Sequence, residues 1–320
     1  MRKATATIPV TVIGGFLGAG KTTFVNHLLA GGGPRTAVLV NDFGEINVDA
    51  ALIQGHDGTT MTLTNGCICC SIGTSFIETM CKVLDAEVPF ERIVIEASGV
   101  GDPWKIAEIA LIEPTLRLDR VIVLADASRI AALIDDARVG ATVRSQFERC
   151  DVALLSKTDL VDAAALTAAH AAVRTLRPGL RIVETAPGTM PTLASLDAPA
   201  KASAFRADSP AASDHGASFR SFAYRRDGTF DRARIAGAVA ALPPELLRLK
   251  GSCRLDGEDA AQVFQMVEGV WSLSPAAAPS ATDRTEPAGI VLVGVGTAAL
   301  PEPAVLDAIL DRALAAGAAA

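Results

Sequence analysis

Residues 15–22 read Gly-Phe-Leu-Gly-Ala-Gly-Lys-Thr, the full spacing of a phosphate-binding loop, and Cys67-Ile68-Cys69-Cys70 follows farther along. In the first motif Gly15, Gly18 and Gly20, with Ala19 between them, let successive backbone N–H groups converge on phosphate oxygens. Lys21 neutralises the β/γ-phosphates, the Thr22 hydroxyl suits Mg²⁺, and Thr23 continues the same turn. The apolar run Pro9–Ile13 before the loop and the amphipathic run Thr22–Leu29 after it predict the strand and helix that such a loop needs. The helix N-terminus adds its dipole at the phosphates.

The cysteines point to a different chemistry. In an extended segment Cys67 and Cys69 face one side and Cys70 the other, so three thiolates converge only if the backbone turns; Gly66 and Gly73 supply that freedom. Thiolates favour Zn²⁺, Cu(I) or Co²⁺ over Mg²⁺. Two or three of them make an incomplete shell suited to binding and release, unlike a closed four-ligand structural site. Redox sensing and simple packing are the competing readings. Cys81, Cys150 and Cys253 show no partner spacing and are expected to be buried small apolar residues. His27, His56, His170 and His215 are scattered.

Other polar groups close apolar runs. Glu96 ends Arg92–Ile95, where a carboxylate would meet the ligand crevice of a parallel sheet and either support Mg²⁺ through a water or place an attacking water. Gly99 leaves room for its N–H to approach a γ-phosphate. Asp42 and Glu45 flank Gly44 after the second apolar run, in the region of a nucleotide-sensing loop. They would serve Mg²⁺, the cysteine-bound metal, or neither. Ser156-Lys157-Thr158-Asp159 follows Val152–Leu155. The Asp159 carboxylate can accept from guanine N1–H and the 2-amino group together, a donor pair adenine lacks, and the Lys157 stem would cover the base face. That selects GTP.

The elements that must position these groups are legible as near-continuous aliphatic runs at 9–13, 37–40, 92–95, 121–124, 152–155 and 181–183. Such runs are what strands buried on both faces of a parallel sheet look like. With helical segments between them, they predict an α/β fold: a P-loop NTPase domain with a doubly wound, mostly parallel sheet over residues 1–195. From about Pro191 to Ser218 the pattern dissolves into Ala, Ser, Asp and Pro, which reads as a linker centred on 196–217. Residues 218–320 then form a second, smaller α+β domain. Its expected strands lie at 218–224, 246–251, 261–267 and 289–295, and its helices near 230–241 and 302–316. A loose surface segment is expected at 275–288.

Of the 320 residues, 50% are hydrophobic and 20% charged, enough for a packed, mainly aliphatic core since only 4% are aromatic. The net charge of −7, with no Lys/Arg run, argues against nucleic acid as a partner. The apolar stretch Ile8–Leu17 is short and runs into the phosphate loop, so no secretory leader is expected. No window approaches the ~20 apolar residues of a membrane span. These features predict a cytoplasmic protein whose six cysteines are thiols or metal ligands.

Taken together, the strings Gly14–Thr23, Asn41-Asp42-Phe43-Gly44-Glu45, Asn65-Gly66-Cys67-Ile68-Cys69-Cys70, Ile95–Gly99 with Asp102-Pro103, and Ser156–Asp159 resemble the CobW-type branch of metal-handling P-loop GTPases, relatives of the urease and hydrogenase maturation GTPases. Leu249-Lys250-Gly251 and Val263-Phe264-Gln265 are similar to that family's smaller domain. The resemblance implies a GTPase whose hydrolysis is coupled to delivery of Zn²⁺ or Co²⁺, held at the Cys-x-Cys-Cys motif, to a client metalloprotein or cofactor pathway. Expected partners are GTP or GDP, the client and, in a nucleotide-dependent way, further copies of the chain. Two departures stand out: Ser156 replaces the usual Asn, and the His-rich tract common near the linker is reduced to Asp214-His215-Gly216. The sequence shows no arginine finger, so slow intrinsic turnover is expected. One rival is a metal sensor that uses nucleotide only to switch partners. Another is a P-loop kinase, which would need a second substrate pocket and a lid, and against which the Ser-Lys-Thr-Asp element argues.

Overall fold

The computed structural model describes residues 7–41, 60–65, 80–196, 219–258, 260–267, 269–276 and 289–315. They fall into two compact units, 7–196 and 219–315.

The first unit is built on seven strands: β1 (Ile8–Gly15), β2 (Thr36–Asn41), β3 (Thr60–Asn65), β4 (Arg92–Glu96), β5 (Leu116–Asp126), β6 (Val152–Ser156) and β7 (Arg181–Glu184). They lie in the order β3-β2-β4-β1-β5-β6-β7, and every pairing is parallel. Helices α1 (Lys21–Ala30), α2 (Pro103–Ile112), α3 (Ile130–Asp135), α4 (Gly140–Phe147) and α5 (Ala163–Leu176) accompany it. The central strands are aliphatic on both faces because both are covered. Val10, Val12 and Ile13 of β1, Ile93 of β4, Ile122 and Val123 of β5 and Leu154 and Leu155 of β6 are wholly buried. The doubly wound sheet expected from the sequence is therefore present, fully parallel among the described strands.

Several details differ from the sequence expectation. β3 differs from the expectation because Thr60-Met61-Thr62-Leu63-Thr64-Asn65 lacks a continuous apolar run; among the described strands it pairs only with β2, at the end of the sheet. β5 begins at Leu116, five residues before its aliphatic run, through the polar stretch Arg117–Arg120. Leu193 and Leu196 lie in the segment whose composition resembles a linker, yet both are buried in the first unit's core against Ile13, Phe24 and Ile122. A short 3₁₀ turn, Ala194–Leu196, places the two leucines one turn apart. Cys81, expected to be buried, is exposed, whereas Cys150 and Cys253 are buried as expected.

The second unit is a five-stranded antiparallel sheet, β11-β10-β9-β12-β8. Its strands are β8 (Phe219–Arg226), β9 (Leu246–Cys253), β10 (Gln262–Val267), β11 (Val270–Pro275) and β12 (Ile290–Thr297), with helices α6 (Arg232–Ala240) and α7 (Pro303–Leu310). Phe222, Tyr224, Leu249, Phe264 and Leu292 from the strands share a core with Ile235 and Val239 of α6 and Leu306 and Leu310 of α7. The i,i+4 spacing of both helical pairs puts each on one face. β11 was missed because Val270-Trp271-Ser272-Leu273-Ser274 is short and half polar. The final helix ends at Leu310 in a 3₁₀ turn (Asp311–Ala313) whose Asp311 anchors Tyr224 (Oη–Oδ1 2.9 Å) and Arg226 (Nε–Oδ1 2.9 Å). Gly251 has φ 156, and a Cβ there would lie 2.0 Å from the Val291 carbonyl, so β9 and β12 approach closely only because this residue is glycine. The expected loose segment at 275–288 falls mostly outside the described residues.

Candidate functional site: a nucleotide cradle at the carboxyl edge of the sheet

In a parallel sheet all strands end on one edge. Here β1 runs into the phosphate loop, while β4, β5 and β6 end at Glu96, Asp126 and Ser156. Ligand crevices in such sheets lie where neighbouring connections depart to opposite faces, beside the first strand.

The loop between β1 and α1 is shaped by its glycines. Gly15, Gly18 and Gly20 have φ 132, 79 and 93, and a Cβ on Gly15 would lie 2.4 Å from the Leu124 carbonyl of β5. Gly20 is the N-cap of α1, so the helix opens directly from the loop. Ala19 N–H closes the turn on the Phe16 carbonyl (3.2 Å). The Lys21 side chain is buried and its ammonium donates to the Gly15 and Phe16 carbonyls at 2.9 and 3.4 Å, across the mouth of the loop. Thr23 faces outward, on the exposed side of the same turn.

Thr22 donates through Oγ1 to Glu96 Oε1 (3.0 Å). Glu96 is only 2% exposed, so the end of β4 presents a carboxylate directly to the first turn of α1. A hydroxyl and a carboxylate side by side form a hard-oxygen donor set that suits Mg²⁺. Gly99 also sits in a close contact that the sequence did not suggest. A Cβ on it would stand 2.4 Å from Leu17 Cδ2, so the loop after β4 packs directly on the phosphate loop. Ser98 Oγ accepts from Gly101 N–H (3.1 Å), and Asp102 Oδ1 accepts from Trp104 N–H (2.9 Å) at the start of α2.

Two residues absent from the sequence reading complete this arrangement. Gln146 on α4 is 2% exposed and donates its amide to the carbonyls of Gly99 (3.3 Å) and Gly101 (3.0 Å), holding the loop after Glu96 from behind. Its signal was a polar residue on the buried stripe Thr142, Val143, Gln146 and Phe147. Asp126 is 4% exposed and ends β5 as Glu96 ends β4, so the logic that selects one selects the other. Its Oδ1 accepts from Ser128 N–H (3.0 Å) and Oγ (2.6 Å), and its Oδ2 receives the Lys157 ammonium at 2.6 Å.

The Ser-Lys-Thr-Asp element follows β6. Ser156 is buried, and its hydroxyl lies 2.8 Å from the Ala19 carbonyl of the phosphate loop and 3.2 Å from the Ala125 carbonyl. The shorter side chain thus still ties this element to the loop. Lys157 has φ 59, the one non-glycine residue with positive φ among those described. Thr158 donates to the Thr185 carbonyl (3.1 Å) past β7, and Asp159 stands exposed on the 3₁₀ turn Thr158–Leu160. Asp42, Glu45, Cys67, Cys69 and Cys70 lie outside the described residues, and among the described ones no three His, Cys, Asp or Glu gather to hold a metal. No described helix is long and apolar enough to cross a membrane.

A glycine-shaped loop opening a helix, a Thr–Glu pair across to the neighbouring strand and a Ser-Lys-x-Asp element on the far side define a P-loop nucleoside-triphosphate-binding protein. Residues 9–184 match the family model described as CobW/HypB/UreG, nucleotide-binding domain, and residues 219–314 match the cobalamin synthesis protein cobW C-terminal domain. The chain belongs to this CobW-type family of P-loop GTPases. It is 38% identical over 162 residues to zinc chaperone YjiA of Escherichia coli (48% of this chain, 50% of that protein). It is 35% identical over 191 residues to zinc chaperone CobW of a Sinorhizobium species (50% and 54%). The chain therefore spans about half the length of these curated relatives. Among solved structures, the Zn(II)-bound YjiA GTPase from E. coli aligns with 97% of this chain and 99% of its own at 24% identity and a TM-score of 0.44.

Proposed function

We propose that this chain binds GTP, hydrolyses it slowly, and uses the nucleotide state to take up and release a divalent transition metal, Zn²⁺ or Co²⁺, at Cys67, Cys69 and Cys70, for delivery to a client metalloprotein. One observation carries this reading. The chain leaves β3 at Asn65, two residues before Cys67, and leaves β2 at Asn41, just before Asp42, on the same carboxyl edge from which β1 enters the phosphate loop. The strands that precede the nucleotide and cysteine motifs in sequence therefore end on one edge of one sheet. The zinc chaperones to which the chain is similar support the choice of cargo.

The residues divide the work as follows. Backbone N–H groups of residues 15–20 and the dipole of α1 bind the phosphates. Lys21 exchanges its Gly15 and Phe16 carbonyls for phosphate oxygens, and Gly99 lets the loop after β4 sit close by. Asp159 reads the guanine N1–H and 2-amino pair, and the Lys157 stem covers the base. Thr22, backed by Glu96, would hold Mg²⁺, which supplies charge neutralisation when bound. Glu96 also orients water near the γ-phosphate. Catalysis of this kind rests on positioning and electrostatics.

GTP would order the segment bearing Asp42 and Glu45 and draw the three sulfurs together; hydrolysis would relax them. A tenfold change in metal affinity needs ~1.4 kcal/mol of coupling, within the ordinary allosteric range, and metal must tighten GTP by the same factor. The test is a Zn²⁺ or Co²⁺ titration of the full chain with GDP and with a non-hydrolysable GTP analogue. Tighter binding with the analogue, lost when all three cysteines become Ala while nucleotide still binds, is expected. Equal metal affinity in both nucleotide states overturns the coupling.

A further inference from the structure

Of the buried charges in the first unit, Lys21, Glu96 and Asp126, the mechanism above leaves Asp126 unused. Asp126 ends β5 and is only 4% exposed. A carboxylate so deeply buried is costly unless its charge is met and its oxygens are hydrogen-bonded. Ser128 satisfies Oδ1 twice, through N–H and Oγ, and orients the carboxylate. Oδ2 faces Lys157, whose ammonium sits at 2.6 Å while the side chain remains 38% exposed. The head of the lysine is fixed and its stem is left at the surface.

The backbone at Lys157 bears on the same point. A lysine in the left-handed region is uncommon and unfavourable, so it persists only where the surroundings over-determine it. Here Asp126 fixes the far end of the side chain, while Ser156 and Thr158 fix the flanking residues through the Ala19 and Thr185 carbonyls. Register agrees: Asp126 pairs with Ser156 across β5 and β6, so the carboxylate sits next to the turn that carries Lys157.

We infer that Asp126 is the positioning residue of the base site: its ion pair with Lys157 lays the lysine stem in the plane a purine ring would stack on. This rests on the reading above that Lys157 covers the base. The role is one of pre-organisation, since an exposed lysine stem otherwise loses rotamer freedom on binding.

The experiment is a double-mutant cycle on the full chain, read by the affinity of a fluorescent GDP. Asp126→Asn is close to isosteric and keeps an acceptor for Ser128 while removing the charge. It is expected to weaken GDP about tenfold, equivalent to ~1.4 kcal/mol. Lys157→Met should weaken GDP comparably. In the Lys157→Met background, adding Asp126→Asn should be neutral or slightly restoring, because the carboxylate there has lost its counter-charge. A purely structural role would make the Asp126→Asn loss persist in that background, and that result overturns the inference. So does an unchanged GDP affinity in Asp126→Asn alongside a weakened Lys157→Met. Unchanged affinity in Lys157→Met, which keeps a stem but loses the ion pair, overturns the inference; unchanged affinity in Lys157→Ala, which has no stem, sinks the base-covering reading itself and the inference with it. Asp126→Ser, smaller and still able to accept from Ser128 N–H, runs the same cycle should the Asn variant fail to fold.

Discussion

Replacing Ser156 with Ala isolates the one position at which the Ser-Lys-Thr-Asp element, proposed above to read the base, departs from its usual first residue. The hydroxyl has a single proton. At 2.8 Å the Ala19 carbonyl is its better acceptor, with the Ala125 carbonyl at 3.2 Å. Both are backbone groups, so the proton is spent on holding the phosphate loop against the end of β6. Removing the hydroxyl deletes one buried hydrogen bond, about 1 kcal/mol net, and strands a buried acceptor, which raises the cost to roughly 1–3 kcal/mol. The phosphate loop then loses a lateral tie and binds phosphates less well whatever the base. Ser156→Ala should therefore lower the urea midpoint and weaken GDP, IDP and ADP by a common factor of roughly five to ten, taking about 1 kcal/mol as the share felt by the loop. Parallel titrations with the three diphosphates measure it. A Ser156→Ala protein whose GDP-to-ADP preference collapses while its ADP affinity stays unchanged would refute the reasoning, because Ser156 would then be reading the base.

Gln146→Leu removes two hydrogen bonds to the loop after β4 but also a buried amide oxygen that has no hydrogen-bond partner among the described residues, so the net destabilisation should be modest, about 1–2 kcal/mol by urea unfolding. A change smaller than ~0.3 kcal/mol would mean the loop is held by other contacts. Glu96→Gln keeps an acceptor for Thr22 but loses the charge; GTP hydrolysis should fall on the order of a hundredfold while GDP binding changes little, as single-turnover phosphate release would report. Burial pushes the Cys150 and Cys253 thiols from 9.0 up to about 12, so in the folded state both stay protonated and unreactive toward thiol reagents at pH 8, while exposed Cys81 reacts at once. The sign for stability follows. A raised thiol pKa favours the folded state below pH ~9, and that advantage is lost as pH rises towards ~12, so the protein should become easier to unfold over that interval. A flat alkaline stability profile would contradict both burials.

The sequence is most legible where one residue type has one physical use. Gly15, Gly18 and Gly20 occupy positive φ, and Glu96 stands at a strand end facing Thr22. The aliphatic strands were legible because burial on both faces removes the alternation that would otherwise obscure them. The failures share a different cause. β3 and β11 are edge strands with polar residues at alternate positions, so each resembles a loop until its partner is known. Leu193 and Leu196 were hidden in an Ala/Ser/Pro context, where composition outweighed two well-spaced leucines. Gly99 was selected for approach to a phosphate, but its observed constraint is the Leu17 side chain. Gln146 acts through tertiary contacts to Gly99 and Gly101, which leave no local signature beyond a polar residue in an apolar setting, whereas Asp126 carries the same strand-end signal as Glu96 and only its contact with Lys157 is tertiary.

The position of β3 bears on how such a molecule can diversify. With β2 as its only neighbour among the described strands, this strand could lengthen, shorten or exchange its trailing residues without disturbing Val12, Ile122 or Leu154 at the centre. The triphosphate machinery hangs from interior strands and has little freedom to drift. Cys67, Cys69 and Cys70 follow β3 in sequence, so on the reading proposed above the choice of ion can be retuned by editing one border of the sheet while the interior strands stay the same.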